Sequence, residues 1–262
     1  LKKRLYRCLI ELTNKKGMSR ALKKFAQSKL SKPLIRPYMK AFQINTEEML
    51  EDVSSFNSLH ELFIRRLKDG ARPLPSVPDC LISPVDGVIE EMGTISADKQ
   101  FIVKHKPYSL EEMVGKDEIA NRYLGGTYII IYLSPRDYHR IHSPANGTLE
   151  TQYSLGSTSY PVNKTGLTYG KSPLTKNYRM ISEIRHQSGS ALLVKVGAMY
   201  INSIVMLQEA KNWRQGEEIA YFSFGSTVIL LFEKDTFVPA GSLCPSLKVK
   251  MGDILGSLAS VK

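Results

Sequence analysis

Phe224-Gly225-Ser226-Thr227-Val228-Ile229-Leu230-Leu231-Phe232 joins a Gly-Ser-Thr turn to five consecutive apolar residues. The apolar run predicts a strand over 227–232 and puts a serine at its mouth. Gly-Ser-Thr ahead of a strand is, taken alone, ordinary turn chemistry. Two upstream segments give it more weight: Ser83-Pro84-Val85-Asp86-Gly87 and Tyr138-His139-Arg140-Ile141-His142-Ser143-Pro144. They add a carboxylate and two imidazoles, so that an acid, a base and a hydroxyl follow one another in the order Asp, His, Ser. A serine that must act as a nucleophile needs such a set.

Short strands and tight turns fill the chain after Arg72-Pro73-Leu74-Pro75. Strands are expected near 86–92, 99–104, 127–133, 147–154, 190–198, 200–208, 217–224, 227–232 and 253–259. Asn146-Gly147 is a hairpin signal. Ser109 with Glu112 caps a short helix, and the Gly-, Ser- and Thr-rich segment 155–180 reads as a long loop. Before this body the pattern is helical. Leu1, Leu5, Cys8, Leu9 and Leu12 share one face, and Met18, Leu22, Phe25, Ala26 and Leu30 make a second stripe. Ser58 and Glu61 form a capping box for a helix Leu59–Leu67 that Gly70 stops. The fold class is therefore α+β. Basic amphipathic helices over 1–70 lead into a mostly antiparallel β body over 71–262, barrel-like or sandwich-like.

The charge follows this division. Residues 1–40 hold thirteen Lys/Arg and one acid, Glu11, for a net +12 against +11 for the whole chain of 262 residues. The remaining residues therefore carry −1. Such a one-sided arm suits an anionic membrane surface, while the body shows no motif that reads nucleic acid. No apolar run reaches 18 residues, so no membrane-spanning helix is expected. No signal-peptide pattern is visible. Cys8, Cys80 and Cys244 form no metal pattern and read as reduced thiols.

Each motif has an ordinary reading as well. Ser-Pro-Val-Asp-Gly is a good turn. His139 and His142 could be structural, and they lack the third ligand that a metal site needs, so no metal is expected. Gly156-Ser157-Thr158 repeats the Gly-Ser-Thr string, but Ser159-Tyr160-Pro161 follows it where a strand should be. The copy at 225–227 has the strand.

Taken together, the motifs resemble the phosphatidylserine decarboxylase family. The resemblance starts near Phe56-Asn57-Ser58-Leu59-His60-Glu61-Leu62-Phe63 and runs through Lys68-Asp69-Gly70-Ala71-Arg72-Pro73 and the Asp86 motif. It continues through Lys106-Pro107-Tyr108-Ser109, the His139/His142 motif and Val196-Gly197-Ala198-Met199-Tyr200-Ile201-Asn202-Ser203-Ile204, and ends at Gly225-Ser226-Thr227. Phe224 stands where the family usually has Leu.

The resemblance implies a self-processing proenzyme. Ser226, with His142 as base and Asp86 orienting it, attacks the Gly225 carbonyl. The chain is cut into a β chain, 1–225, and an α chain, 226–262, which stay associated. Ser226 becomes a covalent pyruvoyl cofactor that condenses with the amine of phosphatidylserine and accepts the electrons released with CO₂. His139 helps to protonate the product. The partner is anionic membrane lipid, a homodimer is left open, and the location is peripheral to a membrane. The cytoplasmic face of a bacterial inner membrane is the first choice of location, with an organellar membrane as the other.

Two further readings compete with this one. A serine hydrolase would use Asp86, His142 and Ser226 as a triad, although Ser226 lacks the Gly-x-Ser-x-Gly elbow. A non-catalytic lipid-binding β module would explain the arm and leave the motifs as coincidence.

Overall fold

The computed structural model describes residues 16–198 and 203–259. The first apolar stripe of the arm, Leu1 to Leu12, and the stretch Met199-Tyr200-Ile201-Asn202 lie outside the described residues.

The apolar run at 226–232 becomes β13 (Ser226–Phe232), a central strand of an eight-stranded sheet. The order across that sheet is β11 (Asn212–Trp213), β7 (Gly147–Leu155), β8 (Arg179–His186), β9 (Gly189–Gly197), β13, β5 (Thr127–Leu133), β2 (Gly87–Thr94) and β15 (Lys248–Val249), antiparallel throughout. Both faces are covered, which is why β13 has no polar alternation. Val228, Leu230 and Phe232 pack into one apolar cluster, and Ile229 and Leu231 into another. A strand needs apolar side chains on both faces when neither meets water.

Two three-stranded sheets cover the first face: β10 (Ile204–Met206), β12 (Glu218–Phe222) and β6 (Arg140–His142), and β1 (Cys80–Ile82), β16 (Ile254–Leu258) and β14 (Phe237–Pro239). The hairpin of β3 (Gln100–Val103) and β4 (Lys106–Ser109) covers the second face, together with short helices. The body is thus sandwich-like on one side. No closed barrel forms among the described residues, since β11 and β15 are open edges.

The arm supplies α1 (Lys16–Gln27), α2 (Ile35–Phe42) and α3 (Leu59–Phe63). A small core of Ile35, Ile44, Met49, Phe56 and Leu62 holds this region together. Ser58 caps α3 by accepting from the Glu61 amide at 3.2 Å, while Glu61 reaches back to the Asn57 amide at 2.7 Å. α3 stops at Phe63, short of the expected Leu67. Leu67 bridges to Met49, and the buried Arg65 guanidinium donates to the carbonyls of Leu62, Arg136 and Asp137. Those contacts require the chain to leave the helix. The other expected cap holds, with Ser109 accepting from the Glu112 amide at 3.1 Å at the start of α4 (Leu110–Val114). α5 (Asp117–Arg122) follows it.

Asn146-Gly147 does not make a hairpin. β6 and β7, on either side, belong to different sheets, and Asn146 Oδ1 accepts from the Gln215 amide. Nor is 155–180 one long loop. It contains α6 (Lys164–Tyr169) and α7 (Pro173–Lys176), and its end enters β8. β8 was not expected because its Arg179, Ser182 and Glu183 look like surface residues. All three are buried with partners: Arg179 donates to the carbonyls of Glu112, Met113 and Asn177, Ser182 meets Lys195, and Glu183 meets Arg122 and Tyr123.

Candidate active site

Ser226 opens β13 and pairs with Leu133 on one side and Gly197 on the other. Its side chain is fully buried, and its Oγ has no hydrogen-bond partner among the described residues. Buried hydroxyls are normally satisfied, so an orphan here calls for an explanation. The Gly225 carbonyl accepts from the Ala198 amide at 2.8 Å. That donor already points at the oxygen that would gain negative charge if Ser226 attacked. An added Cβ on Gly225 would meet only the Ala198 Cβ, at 4.0 Å, so there is free space beside the Gly225 Cα. The orphan hydroxyl, the polarised carbonyl and the free space fit a serine that becomes a pyruvoyl group.

His139 lies just before β6 and is fully buried. Its Nδ1 bonds the Asp137 carbonyl at 2.8 Å. A carbonyl can only accept, so Nδ1 carries the proton and Nε2 presents a lone pair. Nε2 is buried and has no partner among the described residues. Burial, helped by the Arg65 charge, holds the imidazole down to about 3, so the ring is neutral. Phe63 lies 3.9 Å from the His139 ring and stacks on Phe224 at 5.0 Å with planes 8° apart. His139 therefore shares an aromatic cluster with the residue two positions before Ser226. His60, also on α3, bonds the Ser223 backbone.

His142 occupies a different setting. Its Nδ1 bonds the Gly216 carbonyl at 2.8 Å, which leaves Nε2 to accept from the Tyr138 hydroxyl at 3.1 Å. Burial lowers its affinity for protons, against the opposing pull of the Gly216 carbonyl, Glu218 and Asp86. It lines a cleft of about 360 Å³ with Arg72, Tyr138, Glu218 and Met251.

Asp86 does not hold His142 by a hydrogen bond, as the sequence led us to expect. Arg72 clasps its carboxylate through Nε at 2.9 Å and Nη2 at 2.5 Å, and the Met251 amide donates to Oδ1 at 2.8 Å. Arg72 also reaches Glu48 at 2.8 Å. The carboxylate geometry suits the planar guanidinium fork better than a single imidazole N–H. Asp86 thus acts on His142 through its charge. The structure brings His139 to the aromatic cluster at Phe224, and Asp86 and His142 to the Arg72 cleft.

Sequence reasoning gave no role to Arg72, Phe63, Tyr138 or the Ala198 amide. The Lys68–Pro73 motif held the Arg72 signal, but its partner lies 14 residues away in another element. The second Gly-Ser-Thr is unlike the first. Gly156 and Ser157 lie just after β7, Ser157 is exposed, and its amide donates to the Lys176 carbonyl at 3.3 Å.

The family model described as phosphatidylserine decarboxylase matches residues 59–257. A phosphatidylserine decarboxylase proenzyme of Anoxybacillus flavithermus is 51% identical over 258 residues, 98% of this chain and 97% of its own. One of Bacillus mycoides is 48% identical over 262 residues, the whole of both chains. One of Geobacillus kaustophilus is 48% identical over 256 residues, 98% of this chain and 97% of its own. The motifs at Asp86, His139, His142 and Ser226 lie within the matched span, and this chain belongs to the phosphatidylserine decarboxylase family.

Proposed function

We propose that this chain is a proenzyme that cuts itself before Ser226 and then decarboxylates phosphatidylserine to phosphatidylethanolamine and CO₂. The observation that carries the self-cutting is the buried, unpartnered Ser226 Oγ beside a Gly225 carbonyl held by the Ala198 amide. Ser226 Oγ attacks the Gly225 carbon, and the amide N–H stabilises the oxygen as charge develops. A donor of this kind is worth about 10²–10³ in rate. Asp86 and His142 serve this stage. The Tyr138 hydroxyl at His142 Nε2 can rotate, which frees that lone pair to take a proton. The Gly225 carbon–Ser226 nitrogen bond breaks, the nitrogen taking up the proton lost from Oγ, to leave an ester. Loss of the Ser226 Cα proton then expels the Gly225 carboxylate, and water converts the dehydroalanine left behind into the pyruvoyl group with release of ammonia, giving a chain of residues 1–225 and one of 226–262.

The pyruvoyl group supplies a ketone for the substrate's amine and a sink for the electrons released with CO₂. His139 serves this stage. Its neutral Nε2 takes a proton from the incoming ammonium and returns it to the carbon that CO₂ has left. Nδ1 stays on the Asp137 carbonyl, so the ring keeps one orientation throughout. Phe63 and Phe224 shield it from water. Ser226 is fully buried, which suits an internal cut better than a serine hydrolase that must admit an external ester.

The arm, residues 1–70, docks on anionic membrane. Leu22, Phe25, Leu30 and Leu34 are exposed beside exposed Lys24, Lys29, Lys32 and Arg36. Each cation near an anionic bilayer contributes about 1 kcal/mol. Among the described residues no helix is long and apolar enough to cross a membrane. Peripheral binding therefore brings the body to a lipid substrate that stays in the bilayer.

Denaturing mass spectrometry tests the cut. The expected small fragment has 37 residues, begins at position 226 and carries a pyruvoyl terminus. A fragment beginning at Ser157 would move the role to the other Gly-Ser-Thr, and an intact mass would refute the reading.

A further inference from the structure

The Asp137 carbonyl accepts from two side chains, His139 Nδ1 at 2.8 Å and Arg65 Nη2 at 3.1 Å. A guanidinium and an imidazole thus meet at one oxygen, and both side chains are buried. Arg65 follows α3. Its Nη2 also donates to the Arg136 carbonyl at 2.7 Å, and its Nη1 to the Leu62 carbonyl at 3.4 Å. A buried cation is costly unless it is well paired, yet the partners of this one are carbonyls rather than carboxylates. The turn it grips is tied a second time. Asp137 Oδ2 accepts from the Ser134 amide and hydroxyl, each at 2.7 Å, and the Asp137 amide donates to the Ser134 carbonyl at 2.9 Å. Other polar groups near His139 turn elsewhere. The Asp137 carboxylate faces Ser134, Arg140 holds Glu218 and the Ile64 carbonyl, and His60 bonds the Ser223 backbone. Arg65 is the charge that acts on the His139 ring, and it opposes protonation.

We propose that Arg65 is a positioning residue for decarboxylation, holding the Asp137 carbonyl so that His139 keeps its proton on Nδ1 and presents Nε2 as a lone pair. This rests on the assignment of proton transfer to His139. Which imidazole nitrogen carries the proton is set by the bond the other one makes. A carbonyl free to turn would leave Nδ1 without its acceptor, and the ring would then change tautomer or rotate. Either change takes the Nε2 lone pair out of place. The guanidinium acts on the second half of the transfer as well. Once Nε2 has taken a proton from the substrate ammonium, a positive charge nearby destabilises the imidazolium and favours delivery of that proton to carbon. His139 ends the cycle as it began, and Arg65 touches neither the proton nor the substrate.

The test uses the mature, cut enzyme labelled with nitrogen-15 in its five histidines. Two-bond proton–nitrogen correlation spectra read each tautomer, and the His139 signal is the one lost in His139→Ala. CO₂ release is measured per pyruvoyl group with phosphatidylserine in detergent micelles. The parent should show His139 protonated on Nδ1 alone. Arg65→Met should still cut itself, show a mixed or reversed His139 tautomer, and lose about 10- to 10²-fold in kcat with KM unchanged, the cost of a reacting group held loosely. Arg65→Lys, whose ammonium offers three donors to the three carbonyls, should restore the tautomer and most of kcat. If the melting curve shows that Arg65→Met does not fold, Arg65→Gln is read against the same outcomes. The parent's tautomer or the parent's kcat in the charge-free variant overturns the proposal, as does failure of Arg65→Lys to restore them. So does a raised KM at parental kcat, which would make Arg65 Nε, unpartnered among the described residues, a contact to substrate. Parental CO₂ release from His139→Ala refutes the His139 assignment, and this inference falls with it. A slow His139→Ala beside a parental Arg65→Met refutes this inference alone.

Discussion

Replacing Lys195 with methionine should stabilise the fold, and by an amount that depends on pH. Lys195 is completely buried on β9, with its Nζ donating to Ser182 Oγ at 2.7 Å and to the Leu193 carbonyl at 3.4 Å. Burial alone pushes the ammonium down to about 7 from an ordinary 10.5. Between those values the unfolded chain binds the proton and the folded chain releases it, so stability rises with pH across that window. At about 1.36 kcal/mol per pH unit, the buried amine costs about 4 kcal/mol at pH 7.5 and about 1 kcal/mol at pH 9.5. Methionine is of similar length and carries no charge. It gives up hydrogen bonds worth about 1 kcal/mol. Lys195→Met should therefore be more stable by about 3 kcal/mol at pH 7.5 and nearly equal to its parent at pH 9.5, since apolar replacements of buried charges commonly stabilise by ~1–4 kcal/mol. The assay is urea unfolding at both pH values, on an uncut Ser226→Ala background so that one chain is followed. A variant less stable than its parent at pH 7.5, or an advantage that does not shrink with pH, would refute the reasoning.

Other substitutions separate the two stages of the reaction. His139→Ala should still cut itself but release CO₂ at least about 10²-fold more slowly, since it lacks the group that moves the proton; gel bands and labelled CO₂ from one sample check both, and near-parental CO₂ release would remove His139 from the mechanism. Asp86→Asn and His142→Ala should remain single chains on a denaturing gel, and normal cutting in His142→Ala would end its assignment as base. Leu22→Asp combined with Phe25→Asp should weaken co-sedimentation with anionic vesicles while leaving detergent-solubilised activity intact; unchanged sedimentation would move the docking surface elsewhere.

The sequence carried the parts of the fold that depend on local rules. The strand after Ser226, the Ser58 and Ser109 caps and the helix Lys16–Gln27 follow from apolar runs, capping hydroxyls and charge. β8 was illegible because its polar residues are satisfied by groups far along the chain, such as Glu183 by Arg122. The end of α3 depends on a bridge from Leu67 to Met49, which no local pattern shows. At the site, residue types were legible and partnerships were not. Asp86 was expected beside an imidazole, yet the guanidinium of Arg72 holds it.

The place of β13 gives the proposed cut a direction in time. The 37-residue product would contain β13, bonded between β5 and β9, β15 at the far edge of the same sheet, and β14 and β16 in another. Such a fragment is threaded through the body and cannot leave it by simple dissociation. The peptide bond must be whole while the strands are laid down, because only a tethered strand reaches the middle of a sheet without competing partners. Once cut, the protein would keep its shape but lose the means of making it again. Dilution would not separate the pieces, and denaturation followed by renaturation would show hysteresis that an uncut Ser226→Ala chain lacks. The mature enzyme would be a folded object whose own sequence, in two parts, no longer contains the instructions for folding it.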